Sequence, residues 1–121
     1  MTSAAVQPST LDRAAHAVAD PTRRRILHIV RDEEVPAGEV AAHFTHLSRP
    51  AVSQHLRVLT DAALVSVRVD GNRRLYRAQP EGLVEVREFV ESMWTDRLAR
   101  LKFAAERAER SEPKGERKVD S

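Results

Sequence analysis

Apolar residues at helical spacing mark a helix at the centre of the chain. Val52, Leu56 and Leu59 lie three or four residues apart, so they share one face of such a helix. Ser48 is a favourable N-cap, and Pro50 suits the first turn, where its missing N–H costs nothing. The pattern predicts a helix that begins after Ser48 and packs its apolar face on a core.

Directly after this helix, the apolar residues no longer follow helical spacing, and polar and apolar residues alternate instead. Residues 64–69 and 73–78 alternate in polarity well enough for two strands. Asp70-Gly71-Asn72 lies between them and supplies the residue types of a tight turn. The sequence therefore predicts a two-stranded hairpin.

Three shorter helices are predicted ahead of the central one. Residues 11–19 form an amphipathic pattern, Asp20-Pro21 begins the second helix, and residues 36–44 form the third. The third and central helices, joined by a short turn, have the arrangement of a helix-turn-helix. Arg23–Arg25, early in the second helix, are expected to be solvated or paired with acids, with phosphate contact as the alternative. Residues 1–10 are expected to be flexible.

A long helix is predicted from Pro80 to about Arg110. Its apolar residues recur every three or four positions for about seven turns, or about 40 Å. The stripe consists of Leu83, Val86, Val90, Trp94, Leu98, Leu101, Ala105 and Ala108. The small body before it cannot cover so long a stripe, which predicts a dimer seam, with a ligand pocket as the alternative. Residues 111–121 mix charge with Pro and Gly and are expected to be a disordered tail.

Composition limits the classes of protein to consider. A chain of 121 residues forms one domain with a modest core, which pairing with a second copy would enlarge. The absence of cysteine excludes disulfides, thiolate metal sites and cysteine nucleophiles. No apolar run approaches the roughly 20 residues that span a bilayer, and no signal pattern begins the chain. We expect a cytoplasmic protein that does not enter the membrane.

The net charge of +2 is unevenly distributed along the chain. Residues 48–80 carry 6 basic and 2 acidic side chains, a net +4, whereas the segments on either side each have a net −1. A local positive excess attracts a polyanion. The central helix also carries Arg49, Ser53, Gln54 and Arg57 away from its apolar face. Arg can pair with guanine and Gln with adenine, so these residues are candidates for reading a DNA groove.

Three motifs occur in order along the chain. They are ADPTRRRIL at residues 19–27, SQHLRVL at residues 53–59, and DGNRR at residues 70–74 with Tyr76. Together they resemble the ArsR family of winged-helix transcriptional regulators over roughly residues 12 to 108. The resemblance implies a mainly α winged helix-turn-helix domain at residues 11–110, with a small β-hairpin wing. It also implies dimerisation through the N- and C-terminal helices.

The same resemblance indicates which residues contact DNA and the partner. The DNA-contacting positions of the family are matched here by Ser48, Arg49, Ser53, Gln54, His55, Arg57, Arg73 and Arg74. Arg68 and Arg77 are weaker candidates. His55 has two open interpretations, helix packing and a phosphate bond, and Tyr76 is expected to pack within the wing. The dimer contacts are expected from Leu11, Leu83, Val90, Trp94, Leu98 and Leu101.

The chain departs from the family where relatives sense metals. Many relatives carry a cysteine pair where this chain has Glu39-Val40-Ala41-Ala42-His43, and others use histidines of the C-terminal helix, which has none here. We therefore expect no metal site and no cofactor, and whether a small-molecule effector exists stays open. Ala63 occupies the position before the first wing strand where the family often has glycine. A left-handed helix cap at this position is less favourable for alanine than for glycine.

These features favour a DNA-binding regulator over the other classes. We expect a homodimer that binds double-stranded DNA at an inverted repeat, with half-sites about 34 Å apart, and represses transcription. The alternative is a winged-helix module that binds another protein, which would have no need of the groove-facing Arg and Gln residues. No nucleophile–base signature or phosphate-binding glycine loop indicates an enzyme.

Overall fold

The computed structural model describes residues 9–111. The elements are α1 (Thr10–Val18), α2 (Pro21–Ile29), β1 (Val35–Pro36), α3 (Ala37–Ala42), α4 (Arg49–Asp61), β2 (Val65–Asp70), β3 (Arg73–Ala78), a 3₁₀ turn (Pro80–Leu83) and α5 (Val84–Ser111). The chain divides into one unit that ends at Val86 and a second that begins at Arg87. The predicted flexible N-terminus up to residue 8 and the predicted tail from residue 112 lie outside the described residues.

Side-chain caps fix the starts of α1, α2 and α4, and the sequence predicts the caps of α2 and α4. The Ser48 hydroxyl accepts the Ala51 N–H at 3.2 Å at the start of α4. At the start of α2 the Asp20 carboxylate accepts the Arg23 N–H at 3.0 Å, and this bond lowers the pKa of the Asp20 carboxyl below its usual value. Ser9 caps α1 in the same way, so that helix begins one residue earlier than predicted. Each cap satisfies an N–H that the helix itself leaves unpaired.

The apolar core belongs to the first unit and gathers α1 to α4 against the sheet. Val52, Leu56 and Leu59 are at most 2% exposed, which confirms the predicted buried face of α4. The other helices add Ala14, Ala17, Ile26 and Val40, while Val30 follows α2 and Phe44 follows α3. Because this face of α4 is anchored in the core, the exposed side chains of the helix are available for other contacts.

The sheet has three antiparallel strands in the order β1-β3-β2, one more than the predicted hairpin. The additional strand is β1, whose Val35 pairs with Tyr76, and Tyr76 in turn pairs with Val67. These three side chains share the inner face and join the core, which confirms that Tyr76 packs within the wing. Pro36 lies on the edge strand, where its lack of an N–H is tolerated.

The junction between α4 and β2 explains why β2 begins at Val65 and not at Leu64. The Leu64 N–H donates to the Leu59 carbonyl at 3.0 Å, and the Ala63 N–H donates to the Thr60 carbonyl at 3.0 Å. This is a Schellman cap, which needs a left-handed residue at Ala63, and Ala63 has φ of 62°. The 3₁₀ turn approaches the same point so closely that a Cβ on Gly82 would overlap the Ala63 carbonyl.

Replacing Ala63 by glycine is expected to stabilise the protein. The left-handed conformation costs alanine about 1–2 kcal/mol, and glycine loses about 0.4–1 kcal/mol more in chain entropy, so the net gain is about 0.5–1 kcal/mol. Denaturant unfolding at one fixed protein concentration measures it. The control is Ala15→Gly at an exposed position inside α1, which should cost about 1 kcal/mol. A loss of stability in Ala63→Gly would contradict the assignment of strain to Ala63.

Candidate nucleic-acid interface

A line of polar side chains runs along α4 beside its buried face. Arg49, Ser53 and Arg57 follow each other at intervals of four residues, and Gln54 lies next to them; all four are exposed. Within residues 9–111 none of these four side chains makes a hydrogen bond or an ion pair. The structure therefore places the predicted reading residues together, with their donors available to an outside acceptor.

Ser48 has a structural task at the start of this line. Its hydroxyl oxygen accepts the Ala51 N–H, so its position is fixed by the cap. The O–H proton is not used in that bond and can still be donated. Ser48 can therefore cap α4 and donate to a phosphate oxygen at the same time.

The wing presents two arginines that differ in their surroundings. The β2–β3 turn is formed around Gly71, which has φ of 66°. Arg73 lies 3.7 Å from Asp70, and both side chains are more than half exposed. Arg74 has no ion pair within the described part of the chain, and it pairs across the sheet with the exposed Val69. Arg74 is thus the less neutralised cation of the two.

Arg68, a weaker candidate, is held by a carboxylate. Its Nε and Nη2 donate to the two Glu34 oxygens at 2.9 Å and 2.7 Å. Arg68 lies in register with Leu75 and Pro36, so its side chain crosses β3 to reach Glu34. The guanidinium holds the pKa of Glu34 below its usual value. This pairing neutralises Arg68, which weakens its case as a phosphate contact.

The three consecutive arginines of α2 act within the protein instead. The side chains of Arg23 and Arg24 donate to the last carbonyls of α1, those of residues 16–18, at 2.8–3.0 Å. Arg25 lies over the ring of Phe44, 5.1 Å from its centroid. The sequence predicts solvent, acids or phosphate as the partners of these arginines. The observed contacts escape prediction because the carbonyls of a helix end become partners only when the turn between α1 and α2 forms.

His55 lies against α2 and is half-buried. Its Nδ1 is 3.3 Å from Nη1 of Arg23, so the structure joins it to the arginine that also caps α1. This contact favours the packing interpretation of His55 over a phosphate bond.

The second unit carries an uncovered apolar stripe on α5. Val90, Trp94, Leu98 and Leu101 are 44–58% exposed. Leu11 is half-buried. Leu83, which the sequence predicts in the dimer seam, packs against the core of the first unit, and so does Val86, the next residue of the predicted stripe. The uncovered stripe therefore begins at Val90.

Neither a metal centre nor a membrane span appears in the described part of the chain. Among residues 9–111 no three His, Asp or Glu side chains converge as a metal ion requires. None of the described helices combines the length and the apolar composition needed to cross a bilayer.

The chain is similar in sequence to known helix-turn-helix transcriptional regulators. A family model described as a helix-turn-helix domain matches residues 18–68. The HTH-type transcriptional regulator Rv2034 of Mycobacterium tuberculosis is 45% identical over 87 residues, which cover 72% of this chain and 80% of that protein. Other relatives, at 32% and 35% identity, are a probable mercury resistance operon repressor of Streptomyces lividans and an arsenical resistance operon repressor of Staphylococcus xylosus.

Two solved structures share the fold. The crystal structure of a possible transcriptional regulator for arsenical resistance is 43% identical, with a TM-score of 0.62, and the match covers 82% of this chain and 97% of that one. The homodimeric winged helix-turn-helix DNA-binding domain Mb0332 of Mycobacterium bovis, a possible ArsR-family regulator, is 25% identical with a TM-score of 0.56. That match covers 74% of this chain and 82% of that one.

Proposed function

Since the chain belongs to the ArsR family of transcriptional regulators, we propose that it acts as a homodimer that recognises an inverted-repeat operator and represses the promoter it occupies. The observation that carries this proposal is the face of α4, where Arg49, Gln54 and Arg57 are exposed and have no partner within residues 9–111. Such groups have unsatisfied donors that base edges and phosphates can accept. We place this action in the cytoplasm.

In the proposed complex α4 and the wing have different roles. Arg57 and Gln54 contact base edges in the major groove and choose the sequence. Arg74 and Arg73 contact phosphates and add affinity for any sequence. This division of roles predicts that substitutions in α4 change specificity and substitutions in the wing change the salt dependence.

Dimerisation sets the form of the operator. The exposed stripe of α5 and the homodimeric state of Mb0332 support a symmetric pair of chains. A two-fold axis repeats the reading helix on the second half-site, so the two half-sites would be inverted and about 34 Å apart. Occupation of such a site within a promoter excludes polymerase, and the repressors among the relatives agree with this outcome.

The test is selection of a binding sequence from a pool of random DNA duplexes, followed by fluorescence anisotropy. We expect an inverted repeat to emerge and to bind about 10³-fold or more tightly than a scrambled duplex. In vitro transcription from a promoter that contains the repeat should then fall when the protein is added. If selection enriches no sequence, or if the enriched duplex binds no more tightly than the scrambled one, the proposal is wrong, and the exposed face of α4 belongs to a protein partner.

The wing yields a prediction with a control inside the same sheet. Arg74→Ala should make the plot of log K against log salt shallower by about 0.9 for each phosphate that the variant no longer neutralises, or about two for a symmetric dimer. Arg68→Ala removes the same charge, but one that Glu34 already neutralises, so its effect should be smaller. Anisotropy at several salt concentrations measures both slopes. Equal slopes in the two variants would contradict the assignment of Arg74 to a phosphate.

A further inference from the structure

One side chain, that of Arg23, joins three helices at a single point. Arg23 belongs to α2, and its Nε and Nη2 donate to the carbonyls of Ala17 and His16 in the last turn of α1, at 2.8 Å and 3.0 Å. Its Nη1 lies 3.3 Å from Nδ1 of His55 in α4. Each of its three nitrogens therefore has a partner. The two bonds to α1 fix the orientation in which the guanidinium faces His55 of α4.

The chemistry of this contact fixes the state of His55. A guanidinium can only donate, so Nδ1 of His55 must be the acceptor, and the imidazole proton lies on Nε2. The contact therefore requires a neutral His55 in one tautomer. Asp20, the N-cap of α2, accepts the backbone N–H of Arg23, and this bond lowers the pKa of its carboxyl.

We propose that Arg23 and His55 are positioning residues for operator recognition, which set the orientation of α4 without contacting DNA. The inference rests on the proposed function. The other contacts of α4 with the core, through Val52, Leu56 and Leu59, are apolar and therefore have no preferred direction. The hydrogen bond from Arg23 is directional, and His55 lies next to Gln54 and two residues before Arg57. A small rotation of α4 would displace both reading side chains, and paired hydrogen bonds to a base edge depend on exact geometry.

Two substitutions of His55 separate this role from a phosphate contact. The side-chain oxygen of asparagine lies near the position of Nδ1, whereas the amide nitrogen of glutamine reaches toward the position of Nε2. His55→Asn therefore keeps the acceptor for Arg23, and His55→Gln keeps a donor for phosphate. With the duplex that the wild-type protein selects, we expect His55→Asn to bind within about threefold of wild type. We expect His55→Gln and Arg23→Ala to bind about tenfold or more weakly.

The chain contains a matched control for this contact. Nη1 of Arg31 lies 3.3 Å from Nδ1 of His28, the same atoms at the same distance, but both residues are exposed and adjoin the end of α2. His28→Gln and Arg31→Ala should therefore leave operator affinity unchanged. The double variant Arg23→Ala/His55→Gln should bind no more weakly than the weaker single variant, because both substitutions remove the same hydrogen bond.

Stability and non-specific binding distinguish positioning from a folding defect. Thermal melting without DNA and anisotropy on the scrambled duplex are measured for every variant, and we expect the scrambled duplex to bind each of them as it binds wild type. The inference is overturned if His55→Gln binds the selected duplex like wild type, if His55→Asn loses as much affinity as His55→Gln, or if the affinity for both duplexes falls equally. Failure of the wild-type protein to select any sequence would instead refute the proposed function.

Discussion

Replacing Arg57 by alanine is expected to weaken operator binding by about 1–3 kcal/mol for each half-site, because the variant cannot form the paired hydrogen bonds with a guanine. Arg57 lies on the exposed line of α4, and within residues 9–111 it has no partner that would compete for its guanidinium. Anisotropy with the selected duplex measures the decrease in affinity. A second selection with the variant should show relaxed choice at one base pair in each half-site and unchanged choice elsewhere.

The control for charge is Arg57→Lys. Lysine keeps the positive charge but cannot present two parallel N–H groups, so it should lose base choice and keep most of the affinity for scrambled DNA. Arg57→Ala should lose some affinity for both duplexes. If the second selection gives the same sequence for Arg57→Ala as for the wild type, Arg57 contacts the backbone and not a base.

Most of the fold can be predicted because its signals are local. Ser48 and Asp20 each bond an N–H three residues away, and Val52, Leu56 and Leu59 need only helical spacing to share a face. The left-handed Ala63 is different, because it is expected from the resemblance to a family that often has glycine at that position. The caps and the buried face need no such comparison. Such features involve a few neighbouring residues, so the sequence alone carries enough information to place them.

The features that escaped prediction depend on residues far apart in the chain. Strand β1 has two residues, too few for a pattern, and forms because Val35 pairs with Tyr76. The spacing of apolar residues predicts one helix from Pro80, but Pro80–Leu83 form a 3₁₀ turn, in which Gly82 lies closely against the Ala63 carbonyl.

The candidate site shows the same limit. The exposed line of α4 could be predicted, since exposure follows from the periodicity of the helix. The partners of the arginines could not be predicted, because Arg68 meets Glu34 across 34 residues of sequence and Arg23 meets His55 across 32. These long-range contacts decide which cations are available to DNA and which hold the fold together.

The apolar stripe of α5 leads to the second large effect. Trp94→Ala should dissociate the dimer, because a large aromatic residue at the centre of an interface contributes about 2 kcal/mol or more. In a symmetric dimer each substitution removes the residue twice, so the dimer is destabilised by about 4 kcal/mol, or roughly 10³-fold in the dissociation constant. Sedimentation equilibrium at micromolar concentrations should then show monomers. Operator affinity should fall as well, since a monomer contacts only one half-site.

Phe103 offers a matched control on the same helix. It is 56% exposed and Trp94 is 58% exposed, but their separation of nine positions places their side chains about half a turn apart. Phe103 also packs beneath Arg107, 5.3 Å from its ring centroid to the guanidinium carbon. Phe103→Ala should therefore leave the dimer intact. A dimer that persists in Trp94→Ala would show that the stripe is not the dimer seam. Equal dissociation in Phe103→Ala would show the same, because a seam on one side of α5 contains Trp94 and not Phe103.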